Sequence, residues 1–521
     1  MESTTTPGVE AVSIKNLSKT FVEGRPVLNG VNLALRRGEV HALLGANGSG
    51  KSTLIKILAG YHTADNGSRV VVGGVELSLP IDPGELRRAG VRFVHQSQEL
   101  TSGMSVVDNM RIGGPYFTGF GWKINWKKEK AFALEQFRRL GVEADPLLGI
   151  QGLSLTTQAK IAILRALEKS EGEQISVIVL DEPTAALGEK DAAHLIEWIR
   201  QIARDEHVGV LFVSHRLSEV LAVADELTIL RNGEVVAAGP VDQFTTDSII
   251  EAIVGGRIEQ YYPERPEATA NEVLSVANLS GGSVHDVSFT LKQGEILGLT
   301  GIGGSGFEDV PYLLVDKERH TTGTCVIDGE EISLHTLSVA GRVKRGLALV
   351  PADRTKEAVS IDLTVRENSV LPRLDTFFSK GVLHRSREDL DTRQVMRSVG
   401  VVPHEPEMLV GEFSGGNQQK IVLGKWLATS PKVLLLHEPT QGVDVGARSE
   451  IFKALAAFAE RGGAAVVASV EYEDLANICN RIIVFGHGRA YQELTGAAVS
   501  VEGVTAASHG ADIATSLAGK T

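Results

Sequence analysis

The chain repeats itself, and its two halves are offset by 256 residues. The segment GEVHALLGANGSGKST at residues 38–53 matches GEILGLTGIGGSGFED at residues 294–309. The same offset joins LDEPT at residues 180–184 to LHEPT at residues 436–440. Because one offset connects separate motifs, the sequence predicts a duplication that produces two similar domains.

The repeat sets the expected domain limits. We predict a first domain at residues 11–258, a linker at residues 259–272 and a second domain at residues 273–510. The linker has two prolines among charged and small residues, a composition typical of interdomain connections. Residues 511–521 are small and polar and are expected to fray. Short apolar runs alternate with helix-like segments in each half, which predicts an α/β fold with a largely parallel sheet.

Composition excludes several classes of protein. With 52 basic and 65 acidic residues, the net charge of −13 argues against a nucleic-acid partner held by phosphate neutralisation. No apolar run approaches the roughly 20 residues of a membrane helix, and no signal peptide is evident at the start. The two cysteines, Cys325 and Cys479, form no CxxC motif, which argues against a zinc site and fits a reducing cytoplasm.

The first half contains a phosphate-binding loop. The segment GANGSGKS fits GxxxxGK[ST], in which glycines let backbone N–H groups surround phosphates. The alternative is a chance glycine-rich turn, which a strand before the loop and a helix at Lys51–Leu58 disfavour. Lys51 adds positive charge, and the hydroxyl of Ser52 can bind Mg²⁺. The predicted ATP-binding residues of this loop are Gly45, Ala46, Asn47, Gly48, Ser49, Gly50, Lys51, Ser52 and Thr53.

An acidic pair follows the apolar run Val177–Leu180. Asp181 is expected to hold Mg²⁺, and Glu182 to polarise the attacking water, although an acidic helix N-cap is the alternative. Gln96 follows the strand-like Val91–Val94, and its amide oxygen is a candidate to bind Mg²⁺ or to contact the attacking water.

Two further residues have candidate roles at this site. His215 follows the strand-like Val210–Val213, where a γ-phosphate contact is expected. Phe21 is a candidate platform for adenine, with a core position as the alternative. The predicted catalytic residues are thus Glu182, His215 and Gln96, and the predicted metal ligands are Ser52, Gln96 and Asp181.

The second half carries the motif FSGGNQQK at residues 413–420, which resembles the signature of ATP-binding cassette (ABC) proteins. Together with VPADR at 350–354 and LLLHEPTQGVDVGAR at 434–448, it is similar to the tandem ATPases of simple-sugar importers. This resemblance implies two P-loop domains, each with a mixed-sheet core and a helical subdomain, that pair head to tail. It adds Ser414, Gly415, Gly416 and Asn417 to the ATP site of the first phosphate loop.

The same pairing rule implies a degenerate second site. Relatives usually have arginine and threonine where this chain has Phe307 and Glu308. The first signature, at residues 153–157, lacks both glycines. With the offset of 256, the remaining replacements are His437 for Asp181, Ala352 for Gln96 and Glu471 for His215. A buried core histidine is favoured over a metal ligand at His437.

The resemblance implies an ATPase that uses ATP and Mg²⁺ at the cytoplasmic face of a membrane. Its expected partners are two membrane-spanning permease subunits and, through them, an extracytoplasmic sugar-binding protein, with no nucleic acid. The alternatives are a tandem ABC protein with a translation- or nucleic-acid-associated role and a purely regulatory nucleotide binder.

Overall fold

A computed structural model describes residues 10–22, 24–46, 48–95, 100–168, 174–184, 187, 189–214, 216–256, 261–316, 321–379 and 381–518. The chain divides into two compact units, Met1–Gly256 and Arg257–Thr521. No helix in the described ranges is long and apolar enough to cross a membrane.

The first unit alternates strands and helices. Its strands are β1 (Glu10–Val22), β2 (Arg25–Arg36), β3 (Val40–Gly45), β4 (Arg69–Val72), β5 (Val75–Glu76), β6 (Val91–Val94), β7 (Val177–Asp181), β8 (Gly209–Val213), β9 (Glu226–Arg231) and β10 (Glu234–Pro240). Its helices are α1 (Lys51–Leu58), α2 (Pro83–Arg88), α3 (Val106–Arg111), α4 (Trp126–Leu140), α5 (Leu155–Ala166), α6 (Glu189–Asp205), α7 (Leu217–Val223) and α8 (Thr246–Val254).

Two sheets enclose the core of this unit. One has the order β2-β1-β4-β5 and is antiparallel, and the other has the order β10-β9-β3-β8-β7-β6. In the larger sheet, β6, β7, β8, β3 and β9 run parallel, and only β10 is antiparallel. Strands such as β8 are buried along their whole length, which explains their uninterrupted apolar sequences. The helical segment α3–α5 lies between β6 and β7 in the chain.

The second unit has the same plan. Its strands are β11 (Glu272–Gly281), β12 (Val284–Lys292), β13 (Ile296–Gly301), β14 (Thr322–Ile327), β15 (Glu330–Ile332), β16 (Leu347–Val350), β17 (Phe378–Ser379), β18 (Val382–Leu383), β19 (Val433–His437), β20 (Ala464–Ala468), β21 (Arg481–Gly486) and β22 (Arg489–Thr495). Its helices are α9 (Val310–Val315), α10 (Val339–Lys344), α11 (Arg354–Glu357), α12 (Val365–Val370), α13 (Arg385–Ser398), α14 (Gly415–Leu427), α15 (Val445–Glu460), α16 (Tyr472–Ile478) and α17 (Val501–Ala518).

The larger sheet of this unit has the order β16-β19-β20-β13-β21-β22, which mirrors the first unit strand for strand. The predicted α/β fold with a mixed sheet in each half is confirmed. The predicted strands at Val91–Val94 and Val177–Leu180 and the helix at Lys51–Leu58 are also present.

The offset between the halves changes along the chain. Strands β7 and β19 differ by 256 residues, but β8 and β20 differ by 255, because the second half is one residue shorter before β20. The assignment of Glu471 as the counterpart of His215 is therefore wrong. Val470 corresponds to His215, and Glu471 corresponds to Arg216. The conclusion that the second half lacks this histidine is unchanged.

The segment that follows the first unit packs against the second unit. Tyr261 is buried, and its carbonyl oxygen accepts a hydrogen bond from Ser449 Oγ at 2.8 Å. Tyr262 stacks on Phe452 and donates its hydroxyl to Asp474 Oδ1 at 3.1 Å. Residues 261 and 262 are therefore a docked part of the second unit.

The C-terminal tail differs from the expectation that it frays. Helix α17 continues to Ala518, and Ala511 is buried against Gly486 of β21. Small residues make this possible, because Ala511 can approach the strand closely where Gly486 has no side chain.

Candidate nucleotide-binding sites

The first phosphate loop joins the buried strand β3 to helix α1. Gly50 has φ of 106°, and a Cβ there would lie 2.9 Å from the carbonyl oxygen of Val27, so this turn requires glycine. The ammonium of Lys51 lies against the loop and donates to the carbonyl oxygens of Gly45 at 2.5 Å and Ala46 at 3.0 Å. Neutral carbonyl oxygens are weaker acceptors for an ammonium group than phosphate oxygens are. The loop therefore holds a cation at the N-terminal end of α1, where phosphate oxygens would bind it more strongly.

The acidic pair lies at the carboxyl end of β7. Glu182 has φ of 50°, and its N–H donates to the carbonyl oxygen of Val213 in β8 at 2.9 Å. Burial raises the pKa of Asp181, the charge of Glu182 raises it further, and His95 and Lys51 oppose both effects. A nearby cation would stabilise the charged form of this partly buried carboxylate, and carboxylate and hydroxyl oxygens, as at Asp181 and Ser52, are the type of ligand that Mg²⁺ prefers.

Phe21, near the end of β1, is not a core residue. Its side chain is 53% exposed, and the ammonium of Lys19 lies 5.0 Å from the ring centroid. The ring of His62 meets it edge-on at 5.0 Å. The exposed aromatic surface removes the core alternative and leaves the ring available for stacking.

Three of the sequence candidates, Asn47, Gln96 and His215, lie outside the described residues. The residue that precedes each of the two strand-end candidates is described. His95 follows β6, and Ser214 follows β8, so both positions open at the same sheet edge as Asp181.

Sequence reasoning missed Glu219. This buried carboxylate accepts hydrogen bonds from Thr184 Oγ1 at 2.6 Å and Ser214 Oγ at 3.0 Å. It thereby ties the loop after the acidic pair to the loop that precedes position 215. The corresponding residue of the second half, Asp474, accepts from Thr440 Oγ1 at 3.0 Å. The sequence signal that could have identified Glu219 is a carboxylate residue at matching positions of the two halves.

The second phosphate loop is occupied by a side chain of the same protein. The carboxylate of Glu308 accepts from the N–H groups of Gly304 at 2.6 Å and Gly306 at 3.1 Å. Phe307, at the position of the phosphate-binding lysine, is fully buried in the hydrophobic core. Helix α9 begins only at Val310, three residues later than the position that corresponds to the start of α1. An internal anion thus sits on amides that would otherwise be offered to phosphate.

The rest of the second site is also closed by protein groups. His437 Nδ1 lies 3.0 Å from the hydroxyl of Tyr312, and that hydroxyl accepts from the N–H of Ala352 at 3.2 Å. His437 and Ala352, which correspond to the predicted magnesium ligands Asp181 and Gln96, are therefore bridged by the hydroxyl of Tyr312. His437 is only partly buried, so it is not the buried core histidine expected from the sequence, although its hydrogen bond to Tyr312 gives it a structural contact.

Glu438 is the counterpart of Glu182 but has a different environment. Its carboxylate accepts from Ser469 Oγ at 2.9 Å and from the N–H of Val470 at 2.8 Å. Burial raises its pKa to about 7, although these two hydrogen bonds oppose the shift. This carboxylate is engaged within its own unit.

The two signature motifs differ in their serines. Ser154 caps its own helix, accepting from the N–H of Thr157 at 3.2 Å. Ser414 makes no capping hydrogen bond and accepts only a 3.3 Å contact from the Asn417 side chain. The hydroxyl oxygen of Ser414 is therefore not used to cap α14.

A second missed residue, Arg354, supports the intact signature. A Cβ at Gly415 would lie 2.6 Å from Arg354 Nη2 and 3.2 Å from the carbonyl oxygen of Gly442, so any larger residue there would displace the guanidinium. Arg354 Nη1 also donates to the carbonyl oxygen of Gln441 at 3.1 Å. This arginine of the VPADR segment joins the signature to the loop that follows Glu438.

Comparison with known proteins places these sites in context. A family model described as "ABC transporter" matches residues 28–185 and 284–441. The chain is 35% identical over 484 residues to the ribose import ATP-binding protein RbsA of Streptococcus agalactiae, covering 93% of this chain and 96% of the relative. It is 36% identical over 484 residues to the RbsA of Bacillus subtilis, with the same two shares covered.

Solved structures agree on the fold. An archaeal ribosome recycling factor, solved in complex with a ribosomal stalk protein, superimposes with a TM-score of 0.56. The match covers 95% of this chain and 92% of that one, at 18% sequence identity. At that identity the likeness extends to the tandem architecture alone.

Proposed function

Because the chain belongs to the ABC transporter family, whose ATP-binding subunits are ATPases, we propose that it energises an importer for a simple sugar. The observation that carries this proposal is the similarity to ribose import ATP-binding proteins along 93% of the chain. The partners would be two membrane-spanning permease subunits and, through them, an extracytoplasmic sugar-binding protein. The ATPase would act at the cytoplasmic face of the membrane.

ATP would bind at the first phosphate loop. Lys51 would exchange the carbonyl oxygens of Gly45 and Ala46 for β- and γ-phosphate oxygens, which are stronger acceptors for an ammonium group. The remaining residues from Gly45 to Thr53 would supply backbone N–H groups, and Phe21 would stack on adenine. Ser52, Asp181 and Gln96 would hold Mg²⁺, which would neutralise developing phosphate charge.

Hydrolysis would require a water placed in line with the γ-phosphate. Glu182 is the proposed group that orients and polarises this water, and His215 would contact the γ-phosphate. Glu182 has a left-handed backbone conformation, and its N–H is hydrogen-bonded to Val213 of β8. This supports the role because it fixes the position of Glu182 at the end of β7.

We further propose that the site is completed by the signature of the second unit. Ser414 would donate its hydroxyl to the γ-phosphate, and the N–H groups of Gly415, Gly416 and Asn417 would enclose it. Support comes from the contrast between the two serines, since the hydroxyl of Ser154 caps its own helix and lies 2.9 Å from Thr157 Oγ1, whereas the hydroxyl of Ser414 makes no cap bond. Glu308 and Phe307 would leave the second phosphate loop without nucleotide. The complex would then hydrolyse ATP at one composite site in each chain.

The test is ATPase activity in the assembled complex. The chain would be purified with its permease subunits, reconstituted in liposomes, and assayed with the sugar-binding protein and ribose, galactose or xylose. The proposal predicts that one of these sugars raises the ATPase rate and that Lys51→Ala abolishes the response. If no sugar changes the rate although the complex binds its sugar-binding protein, the assignment to simple-sugar import is incorrect.

A further inference from the structure

The helical segment of the first unit carries an exposed aromatic hairpin, residues 117–126, between α3 and α4. At its tip, Phe120 is fully exposed and Trp122 is 89% exposed. Phe117, Ile124 and Trp126 are also exposed. Large apolar side chains are costly in water at such positions, so a concentration of them marks a contact surface.

The base of the aromatic hairpin is held by hydrogen bonds, while its tip projects. The N–H of Asn125 donates to the carbonyl oxygen of Phe117 at 2.8 Å, and the N–H of Phe117 donates to the buried carboxylate of Glu129. Arg111 binds that carboxylate at 2.7 Å and places its guanidinium 4.7 Å from the centre of the Phe117 ring. The exposed aromatic tip is thus held outward by a buried ion pair.

The charge around the hairpin is opposite to that of the whole chain. Between Asp108 and Glu135 the sequence has one carboxylate side chain, Glu129, and it is buried. The same stretch presents four exposed lysines, which are Lys123, Lys127, Lys128 and Lys130. A chain with a net charge of −13 therefore has a local cationic, aromatic projection.

We propose that this hairpin binds an anionic lipid surface, with Phe120 and Trp122 inserted at the headgroup level and the lysines over lipid phosphates. Tryptophan is enriched at the membrane–water interface, and lysine is enriched in segments that bind anionic lipid surfaces. A permease surface is the less suitable occupant, because cytoplasmic loops of membrane proteins carry an excess of Lys and Arg, which would repel these lysines. A projecting tip also fits a bilayer surface better than it fits a groove on another protein.

The corresponding hairpin of the second unit, β17–β18, provides a matched control. It exposes apolar side chains of its own, Phe378 and Val382. It contains no tryptophan, and although Lys380, Arg385 and Arg387 are basic, the exposed Asp375 lies close to it in sequence. The proposal therefore assigns lipid binding to one hairpin of the pair.

The experiment is co-sedimentation of the full chain with vesicles of phosphatidylglycerol and phosphatidylcholine, without permease. We expect binding to vesicles rich in phosphatidylglycerol, little binding to phosphatidylcholine alone, and weaker binding at high salt. Phe120→Ser with Trp122→Ser should lower the partition coefficient at least tenfold. Replacing Lys123, Lys127 and Lys128 by Gln should lower it about fivefold for each lysine. Phe378→Ser with Val382→Ser should leave it unchanged.

Each contrary result has a defined meaning. Equal binding to both lipids, or equal loss from the control pair, would overturn the proposal. If the aromatic variant binds vesicles normally but fails to bind the reconstituted permease, the hairpin docks on protein and the proposal is wrong. The inference rests on the chain working at a membrane. Its failure is nevertheless distinguishable from failure of the importer assignment, because the sedimentation assay contains neither permease nor sugar.

Discussion

Glu308 offers a direct test of the claim that the second phosphate loop holds an internal anion. Glu308→Ala removes a carboxylate that accepts from the N–H groups of Gly304 and Gly306, at 2.6 and 3.1 Å. Hydrogen bonds to charged groups contribute about 1.5–3 kcal/mol each when buried, but this side chain is only partly buried. We therefore expect a total loss of about 1–2 kcal/mol.

The assay is calorimetric unfolding of the full chain with saturating ATP, which keeps the first unit loaded. A loss of 1–2 kcal/mol lowers the Tm of a domain of this size by about 2–8 °C. Sulfate should then recover part of the loss in Glu308→Ala, because the vacated N–H groups can bind an added anion. Sodium chloride at the same ionic strength should not have this effect.

The control is Glu331→Ala, which removes an exposed carboxylate from β15 of the same unit. Sulfate stabilises proteins in general by exclusion from their surface, so the informative quantity is the difference between the two variants. If Glu308→Ala unfolds at the wild-type temperature, and sulfate raises the Tm of both variants equally, the carboxylate is not the ligand of the loop.

Three further predictions concern ATP and pH. Glu182→Gln should keep ATP binding but slow hydrolysis by ~10²–10⁴-fold, measured as phosphate release; a near wild-type rate would exclude Glu182 as the catalytic group. Equilibrium dialysis should give one ATP per chain, because Lys51 is present in the first loop and Phe307 replaces its counterpart; two sites of similar affinity would contradict the degenerate second site. Glu438 has a folded pKa of about 7 against an ordinary value of 4.5, so between these pH values the unfolded state releases its proton first and stability falls as pH rises. Glu438→Gln should flatten this decline and gain up to about 3 kcal/mol over wild type at pH 8 in denaturant unfolding; an unchanged pH profile would refute the assignment.

Local sequence patterns predicted the elements that position the first site. The segments Val91–Val94 and Val177–Leu180 form strands because β-branched and aromatic residues favour extended backbone, and the uninterrupted apolar sequence of Val177–Leu180 matches its burial. The helix after the phosphate loop begins at Lys51, as the glycines before it indicate. The fold was predictable because each of these features depends on a few neighbouring residues.

Features that depend on distant residues were not predictable in the same way. The sequence shows that Phe307 and Glu308 alter the second phosphate loop, but which amides the Glu308 carboxylate contacts depends on how the loop folds once Phe307 enters the core. Glu219 and Arg354 each bind a partner more than 30 residues away in the chain, Thr184 and Gln441 respectively. The shift from an offset of 256 to 255 arises from a one-residue difference before β20, which matching of isolated motifs does not detect.

The central claim is that the one working ATP site joins the first phosphate loop to the second signature. The most direct measurement compares the ATPase rates of Ser414→Arg and Ser154→Arg in the assembled transporter. Both substitutions place the same long cation at equivalent signature positions. We expect Ser414→Arg to reduce hydrolysis by orders of magnitude while ATP still loads at Lys51. We expect Ser154→Arg to retain most of the activity. The reverse order would mean that each unit works alone, and equal loss from both would contradict a single composite site.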